Sequence, residues 1–594
     1  MASRTVSDVI VERLTEWGVD RVFGYSGDGI NGFLAALQRA GEGGPRFVQA
    51  RHEETAAFMA VGHAKYGGGV GVVTSTQGPG AIHLLNGLYD AKLDGVPVVA
   101  IVGQQSRTVL GSAYMQEVNL QTLFADVGAQ FTQLVSAPEQ VPLVIDRAFR
   151  TALATRSPAV VIVPHDVQKA EAPELEAEHG IVVTAAEYTR PIVRPADDDL
   201  DRAAAVLSAG SKVALLVGQG ARSAAAEVVE IAERLGAGIA TSLLGKPYVD
   251  ETLPFAVGTM GHLGTTASAA LLGECDTLLL VGTNDPWTEF YPPPGQARAV
   301  QIDLDGRVIG NRYPIEVGLV GDAAETLAAL LDRLEPAADR SWRTHIEEEV
   351  RRWEGIAETR SQVPARPVNP ELAVRELGSR LPADASIALD VGSVVYWYAR
   401  QLRLPPGVPA HVSGTLASMG CGVPYGIAAK LVAPDRPVIV LAGDGGMQMT
   451  GVAELITVSR MWPAWADPRF VVLVLNNGDL AEVSWEQREM EGAPRFEETQ
   501  ALPAFPFAAY ADLLGLTGIR VDDPAQIGPA WDAALAADRP VVIEVIADPS
   551  VPLLPPFPAG EAKLEQMRSS IDAEGEGSEH TRTLLDTYAS HEEE

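Results

Sequence analysis

Cysteine is nearly absent: the chain of 594 residues holds two, Cys275 and Cys421. Two isolated thiols make neither a disulfide framework nor a cysteine-rich metal site, and they fit a reducing cytoplasm. Basic residues are few as well. Lys and Arg number 45 against 78 Asp and Glu, a formal net charge of −33. A surface that acidic repels phosphate backbones, which excludes nucleic-acid binding as the main task. Long apolar runs are missing too. Those at 96–102 and 471–475 stop far short of the ~20 residues of a membrane helix, so no membrane partner is expected. Nor does the start, MASRTVSDVIVERLTEWGVD, read as a secretory leader; it is charged throughout and patterned as an amphipathic helix. A soluble cytoplasmic protein is expected. What is present, 46% hydrophobic and 21% charged residues, is the composition of a folded globular chain.

Short Val/Ile/Ala-rich runs alternate with longer helix-like stretches from start to finish. The runs lie at 69–76, 96–103, 159–164, 213–218, 277–282, 297–303, 438–444, 471–477 and 541–548. Nearly continuous apolar segments rich in β-branched residues suit strands buried on both faces, and interleaved helices make them parallel βαβ units. Two polar stretches, roughly 168–200 and 336–369, interrupt the rhythm. The expected architecture is therefore three doubly wound parallel-sheet α/β domains, at 1–170, 196–335 and 369–550, followed by a tail over 551–594. That tail opens proline-rich and carries ten acidic against three basic residues over 561–594, the composition of a mobile solvated end. LEQM and RTLLDTY within it are patterned as short amphipathic turns able to form a lid over a site.

The strongest local signal is LAGDGGMQMT (441–450) followed by LVLNN (473–477). Each ends a buried strand, where open parallel sheets place their ligands. Gly443, Gly445 and Gly446 let the backbone approach a phosphate, and the helix starting near Met447 points its positive end there. Asp444 and the amide oxygen of Asn477 are hard oxygen ligands suited to Mg²⁺, which also takes phosphate oxygens and water.

GDG, about thirty residues, then NN resembles the thiamine-diphosphate-binding motif of the pyruvate oxidase and acetolactate synthase family. The resemblance runs through nearly the whole chain. ARHEETAAFMAVGHAKYGG (50–68) is similar to the segment holding the family's catalytic glutamate, carried onto Glu53. GYSGDGING (24–32) and TQGPGAIHLLNGLYDAKLDGVPVVAIVGQ (76–104) resemble the pyrimidine-binding domain, which implies cofactor contacts at Gly27, Asp28, Pro79 and Asn86. SAYMQEVNLQTLF (112–124) resembles the loop that sets a glutamine beside the substrate, here Gln116. DVGS (390–393) looks like a diphosphate contact through Val391, Gly392 and Ser393, and LASMGCGVP (416–424) like the segment under the middle of the cofactor, with Ala417 and Met419. Leu480 is carried over as a further cofactor contact, and Asp479 as a third metal ligand beside Asp444 and Asn477.

The resemblance implies the chemistry. The thiazolium carbon is too weak an acid to ionise usefully in water, and the cofactor's own aminopyrimidine removes its proton once in the imino form. A carboxyl group hydrogen-bonded to the pyrimidine ring, that of Glu53, favours this form, and Met419 props the cofactor bent. His52 and Glu54 read as helix or outer residues, and His83 as a packed, hydrogen-bonded histidine. Glu53 and the pair Asp444–Asn477 lie in different domains, and the family joins such halves across subunits, so an obligate homodimer, and a homotetramer beyond it, is implied.

The middle block resembles the flavin-binding domain of pyruvate oxidases. VGQGAR (217–222), with Gly218, Gly220 and Arg222, suits a diphosphate turn, and Asp303 suits a ribose hydroxyl. The same fold in relatives binds FAD, binds ADP or CoA, or binds nothing. Glu486, in GDLAEVSWEQREMEG, matches an active-site glutamate of the oxidases and a proton-shuttling one of the lyases. The expected function is decarboxylation of pyruvate or another small 2-keto acid followed by oxidation or carboligation. A 2-hydroxyacyl-CoA lyase acting on an acyl-CoA, and a non-catalytic regulatory relative, stand as alternatives.

Overall fold

The computed structural model describes residues 4–174, 179–554, 556 and 560–593. Residues 175–178 of the first polar stretch and 555 and 557–559 of the proline-rich one lie outside the described residues. Among the described residues eighteen strands form three six-stranded sheets, every pairing of which is parallel. In the first, β1 (Arg21–Gly24), β2 (Arg46–Gln49), β3 (Gly71–Ser75), β4 (Val98–Gln104), β5 (Thr132–Leu134) and β6 (Pro158–Pro164) run in the order β2-β1-β3-β4-β6-β5. In the second, β7 (Val213–Val217), β8 (Gly238–Thr241), β9 (Ala256–Thr259), β10 (Thr277–Val281), β11 (Arg298–Asp303) and β12 (Val317–Val320) run in the order β12-β11-β10-β7-β8-β9. In the third, β13 (Ser386–Leu389), β14 (Ala410–His411), β15 (Val438–Gly443), β16 (Phe470–Asn476), β17 (Thr517–Val521) and β18 (Val541–Ile546) run in the order β14-β13-β15-β16-β18-β17.

The outer sheets share one topology, and the middle sheet has the doubly wound order of dinucleotide-binding folds. In each sheet the chain reverses its direction of travel at one point: between β1 and β3, between β7 and β10, and between β13 and β15. The loops leaving those strands part there and open a crevice at their carboxyl ends, which is where such sheets bind ligands. Every motif singled out in the sequence as a cofactor site leaves one of these six strands or their immediate neighbours.

Among the helices around these sheets are α1 (Glu53–Gly67), α2 (Ser341–Ser361), α3 (Ser393–Gln401), α4 (Gly422–Val432), α5 (Val452–Met461), α6 (Ala481–Glu486), α7 (Gly560–Ala573) and α8 (Glu579–Glu593). The first and third sheets share one apolar core, because α1 and α4 pack on each other so closely that a Cβ on Gly62 would lie 2.9 Å from that of Ala428. Polar ties cross the same seam. Tyr66 donates to the carbonyl of Ile387, Tyr425 to Asp90, and Lys65, paired within its own domain with Asp94 (2.6 Å), to the carbonyl of Val412 (2.7 Å). The middle domain keeps a separate core.

The tail departs from the expectation of a mobile end. Beyond the proline-rich stretch, α7 and α8 pack back on the third domain, with Met567, Ile571, Leu584, Leu585 and Tyr588 buried. The Tyr588 hydroxyl accepts from Asn369 (2.9 Å) and donates to the carbonyl of Arg360 (3.1 Å). The acidic composition hid a sparse apolar stripe, which is enough when a preformed groove receives it. Among the described residues no helix is long and apolar enough to cross a membrane.

Candidate functional site

The third sheet supplies a backbone cradle. Gly392 leaves β13 with φ +131°, Gly443 ends β15, and Gly478 follows β16 with φ +66°. At all three, the space a Cβ would occupy is empty to 4 Å. Three neighbouring strand ends therefore present bare backbone to one gap, as a diphosphate requires. Gly445 and Gly446 are glycines for the opposite reason. A Cβ on Gly446 would lie 2.6 Å from the Asp390 carboxyl, and one on Gly445 would strike Leu480 and Met419, each at 2.9 Å. Met419 and Leu480 thus meet over the GDG turn. Ala417, two residues before Met419, is held at φ +56°, a strained setting for a non-glycine, and Ser393 opens α3 beside the cradle.

Asp444 is buried at the floor of this gap. Its carboxylate accepts the N–H of Gly478 (2.7 Å) and of Gly445 (3.0 Å), which brings the GDG and NN segments together. Among the described residues no cation pairs with it, and burial pushes its acid up to about 6. A buried carboxyl without a counter-charge, beside an open backbone cradle, fits a bound divalent cation and a diphosphate. The Asn477 amide oxygen accepts from the N–H of Asp479 (3.0 Å). The Asp479 carboxylate itself faces elsewhere, accepting from Arg495 (2.9 Å) and from Ser484 (2.7 Å). Its side chain thus braces the loop, and Asp444 and Asn477 are the groups left to face a cation.

The first sheet supplies the second half. Glu53 is the first residue of α1, with His52 as the capping residue whose ring accepts from the N–H of Glu54. The Glu53 side chain is largely buried, with Oε2 3.0 Å from Nδ1 of His83 and Oε1 against Gly80, where a Cβ would sit 3.0 Å away. Pro79 starts the short helix that carries Gly80 and His83. His83 is hydrogen-bonded, as read from sequence, but not packed away: its ring is partly exposed, lies tilted against His52 at 4.3 Å and partners Glu53. Asn86 donates to Glu54 and to Ser418 (2.8 Å), tying this half to the 416–424 segment of the same chain. Gln116, at φ +62°, accepts from Gln77 (3.0 Å), which lies against Asp28, and Gly27 packs on Thr76 with no room for a Cβ.

A cavity of about 570 Å³ lies between the middle and third domains. Its walls include Val391, Gly392 and Ala417 of the cradle, Gln219, His262, Asn284, Asp285, Trp287 and Arg312 of the middle domain, and Glu482 and Glu486 of α6. Glu53, Gln116, Gly27, Asp28 and Pro79 are not among them. Nor are Gly218, Gly220, Arg222 or Asp303, the residues that sequence pattern offered for a middle-domain nucleotide. Gly218 and Gly220 pack on the backbone of Gly282, and their N–H groups are spent on the carbonyls of Val281 (2.9 Å) and Gly282 (3.0 Å). Arg222 is exposed, and Asp303 accepts from the N–H of Asp305 (2.9 Å).

Three residues escaped sequence reasoning. Asp390 stands one position before the diphosphate contacts and ties their loop to the 416–424 segment. Glu482 lies one helical turn before Glu486; two acids spaced i,i+4 with no cation between them was the available signal. His83 was seen but read as core.

Three family models match this chain in order: the thiamine pyrophosphate enzyme N-terminal TPP binding domain over residues 4–123, the central domain over 200–330 and the C-terminal TPP binding domain over 390–545. Similar proteins include YdaP of Bacillus subtilis, named as a thiamine pyrophosphate-containing protein, 36% identical over 563 residues and 95% of either chain. The pyruvate oxidase of Lactiplantibacillus plantarum is 30% identical over 94% of this chain and 91% of its own. The acetolactate synthase isozyme 2 large subunit of Escherichia coli is 30% identical over 94% of this chain and 99% of its own.

Proposed function

The chain belongs to the thiamine pyrophosphate enzyme family, and from that membership we propose that it is a thiamine diphosphate- and Mg²⁺-dependent enzyme acting on pyruvate or another small 2-keto acid. The single observation that carries the site is Asp444: a buried acid without a cationic partner, ringed by three strand ends whose glycines leave open space.

When bound, the cofactor would supply an acidic carbon, able once deprotonated to serve as nucleophile and electron sink for decarboxylation of a keto acid. The protein's part is positional and acid–base. Gly392, Gly443 and Gly478 offer main chain to the diphosphate, and Asp444 and Asn477 hold the Mg²⁺ that neutralises it. Met419 and Leu480 form the apolar rest under the middle of the molecule. Glu53 holds a proton at the pyrimidine ring and is itself oriented by His83 and Gly80. Gln116, fixed by Gln77, orients the substrate, and Glu486 serves its other side.

The 570 Å³ cavity reaches the cradle at Gly392 and lacks Glu53, which supports a site completed by Glu53 of a second copy and hence a homodimer. Oxidation and carboligation are the two fates this reading admits, and FAD or an ADP-containing cofactor at the middle crevice would separate them. The visible absorbance and mass of whatever co-purifies identifies that occupant. The test of the main reading is thermal unfolding with thiamine diphosphate and Mg²⁺ together. Ligand at 100 times its dissociation constant adds ~2.7 kcal/mol, and Asp444→Asn should abolish that gain. A wild-type protein indifferent to both ligands sinks the reading.

A further inference from the structure

Glu482 and Glu486 stand four residues apart on α6, so both side chains leave the same face of the helix, and both line the cavity beside Val391 and Gly392. Neither takes part in an ion pair among the described residues. The groups that face them come from several elements. From α3 comes the Tyr396 hydroxyl, which carries no positive charge. From the middle domain come His262, held by Glu289 (3.1 Å), Asp285, itself an acid, and Arg312, which donates to Asn284 (3.1 Å). Arg400 of α3 lies over the Tyr396 ring and donates to the carbonyls of Gly264, His262 and Leu554. On the turn after Glu486, Glu489 accepts from Lys563 (3.1 Å), and Arg488 is turned back onto Glu574 (2.7 Å). Two carboxyls thus share one partly buried wall with no cation of their own.

We propose that Glu482 and Glu486 act as one carboxyl–carboxylate pair that keeps a single proton on the substrate side of the cavity, with Glu482 the positioning residue that holds Glu486 in proton-donating form. Carboxyls on successive turns of one helix face do not both ionise readily in a partly dry setting, and the proton belongs to the pair rather than to either residue. Burial, with the charge of Glu486 adding to it, pushes Glu482 up to about 7, and burial followed by the charge of Glu489 raises Glu486, so both members of the pair lean toward the protonated form. The consequence for the reaction, which rests on the function proposed above, is a neutral O–H donor aimed at the substrate. Its proton passes to a substrate oxygen or carbon as a new O–H or C–H bond, leaves two carboxylates behind and is regained from solvent. The same wall carries one negative charge at rest, so it favours keto acids with an uncharged side chain over those bearing a second carboxylate.

The test is pH-difference infrared spectroscopy of the full chain before cofactor is added, read as wild type minus Glu482→Gln. The expected result is a carboxyl titrating near neutrality in the wild type that moves about one pH unit to acid, or further, in Glu482→Gln. Glu482→Asp should retain it. In the loaded enzyme, Glu482→Gln should shift the same ionisation in the kcat profile with KM for pyruvate little changed. A wild-type protein with no such carboxyl, or identical titrations in wild type and Glu482→Gln, overturns the proposal. If Glu482→Gln does not fold, the wild-type and Glu482→Asp titrations decide. Failure of the cofactor-binding test leaves this titration intact, so the two readings fail separately.

Discussion

Glu53 owes its orientation to residues about thirty positions further along the chain. The short helix begun by Pro79 brings Gly80 under one carboxylate oxygen and His83 to the other, and the N-terminal turn of α1 fixes the backbone between them. Positioned acid–base groups contribute about 10²–10⁴-fold, so Glu53→Gln should lose turnover in that range while its unfolding curve stays near wild type; near-normal turnover removes Glu53 from the mechanism. Asp390 is a different kind of residue. Its carboxylate accepts the N–H groups of Gly420 (2.7 Å), Val391 (2.8 Å) and Gly422 (3.4 Å), and burial holds its acid up at about 6. The unfolded chain releases that proton near the ordinary value of about 4, so the group's contribution is whole below about pH 4 and is lost as pH rises through 6. The stability advantage of wild type over Asp390→Asn should therefore shrink by on the order of 3 kcal/mol between about pH 4 and about pH 7. Denaturant titrations at the two pH values measure it, and a difference independent of pH contradicts the assignment.

At the scale of elements, α7 and the segment 478–495 form a buttress behind the cradle. Glu574 binds Arg488 (2.7 Å) and the N–H of Arg495 (2.9 Å), and the Arg495 side chain reaches Asp479 in the loop that follows Asn477. Gln566 of α7 donates to the carbonyl of Glu489 (3.1 Å), clamping the turn that follows Glu486. Groups that orient a metal-binding loop without touching the ion typically alter affinity 10–100-fold when removed. Arg495→Ala should raise the Mg²⁺ needed for half-maximal activity about 10-fold with kcat at saturating Mg²⁺ largely kept; an unchanged Mg²⁺ requirement means that the buttress is structural only. The longer central strands, such as β4, β10 and β16, were legible in the sequence because both faces are covered, which makes their apolar runs continuous, whereas β1, β8 and β13, equally interior, are only four residues long and do not stand out as runs. The short edge strands were not legible either, since β5 and β12 are only partly buried and their patterns break.

Across the whole molecule, one face of the first sheet shares a core with the third domain through α1 and α4, its other face has a smaller core of its own, and the middle domain has a separate one. Calorimetry should accordingly resolve two transitions, one for the joined outer domains and one for the middle domain. Thiamine diphosphate with Mg²⁺ should move the former alone, since the cradle lies within it; a single transition, or a shift of both together, would show that the middle domain is bound more tightly than its separate core implies.

Residue types and their order along the chain were enough to determine the three sheets and to single out the segments of Asp444 and Asn477, which the fold brings together. Those features depend on local rules: buried strands need apolar runs, tight approaches need glycine, and a cation needs hard oxygen. Other features were decided only by tertiary structure. His83 on Glu53, the Asp390 tie, the folded tail and the shared wall of Glu482 and Glu486 each depend on which surfaces close over which. Burial and counter-charge are properties of a position in space, and no spacing along the chain records them.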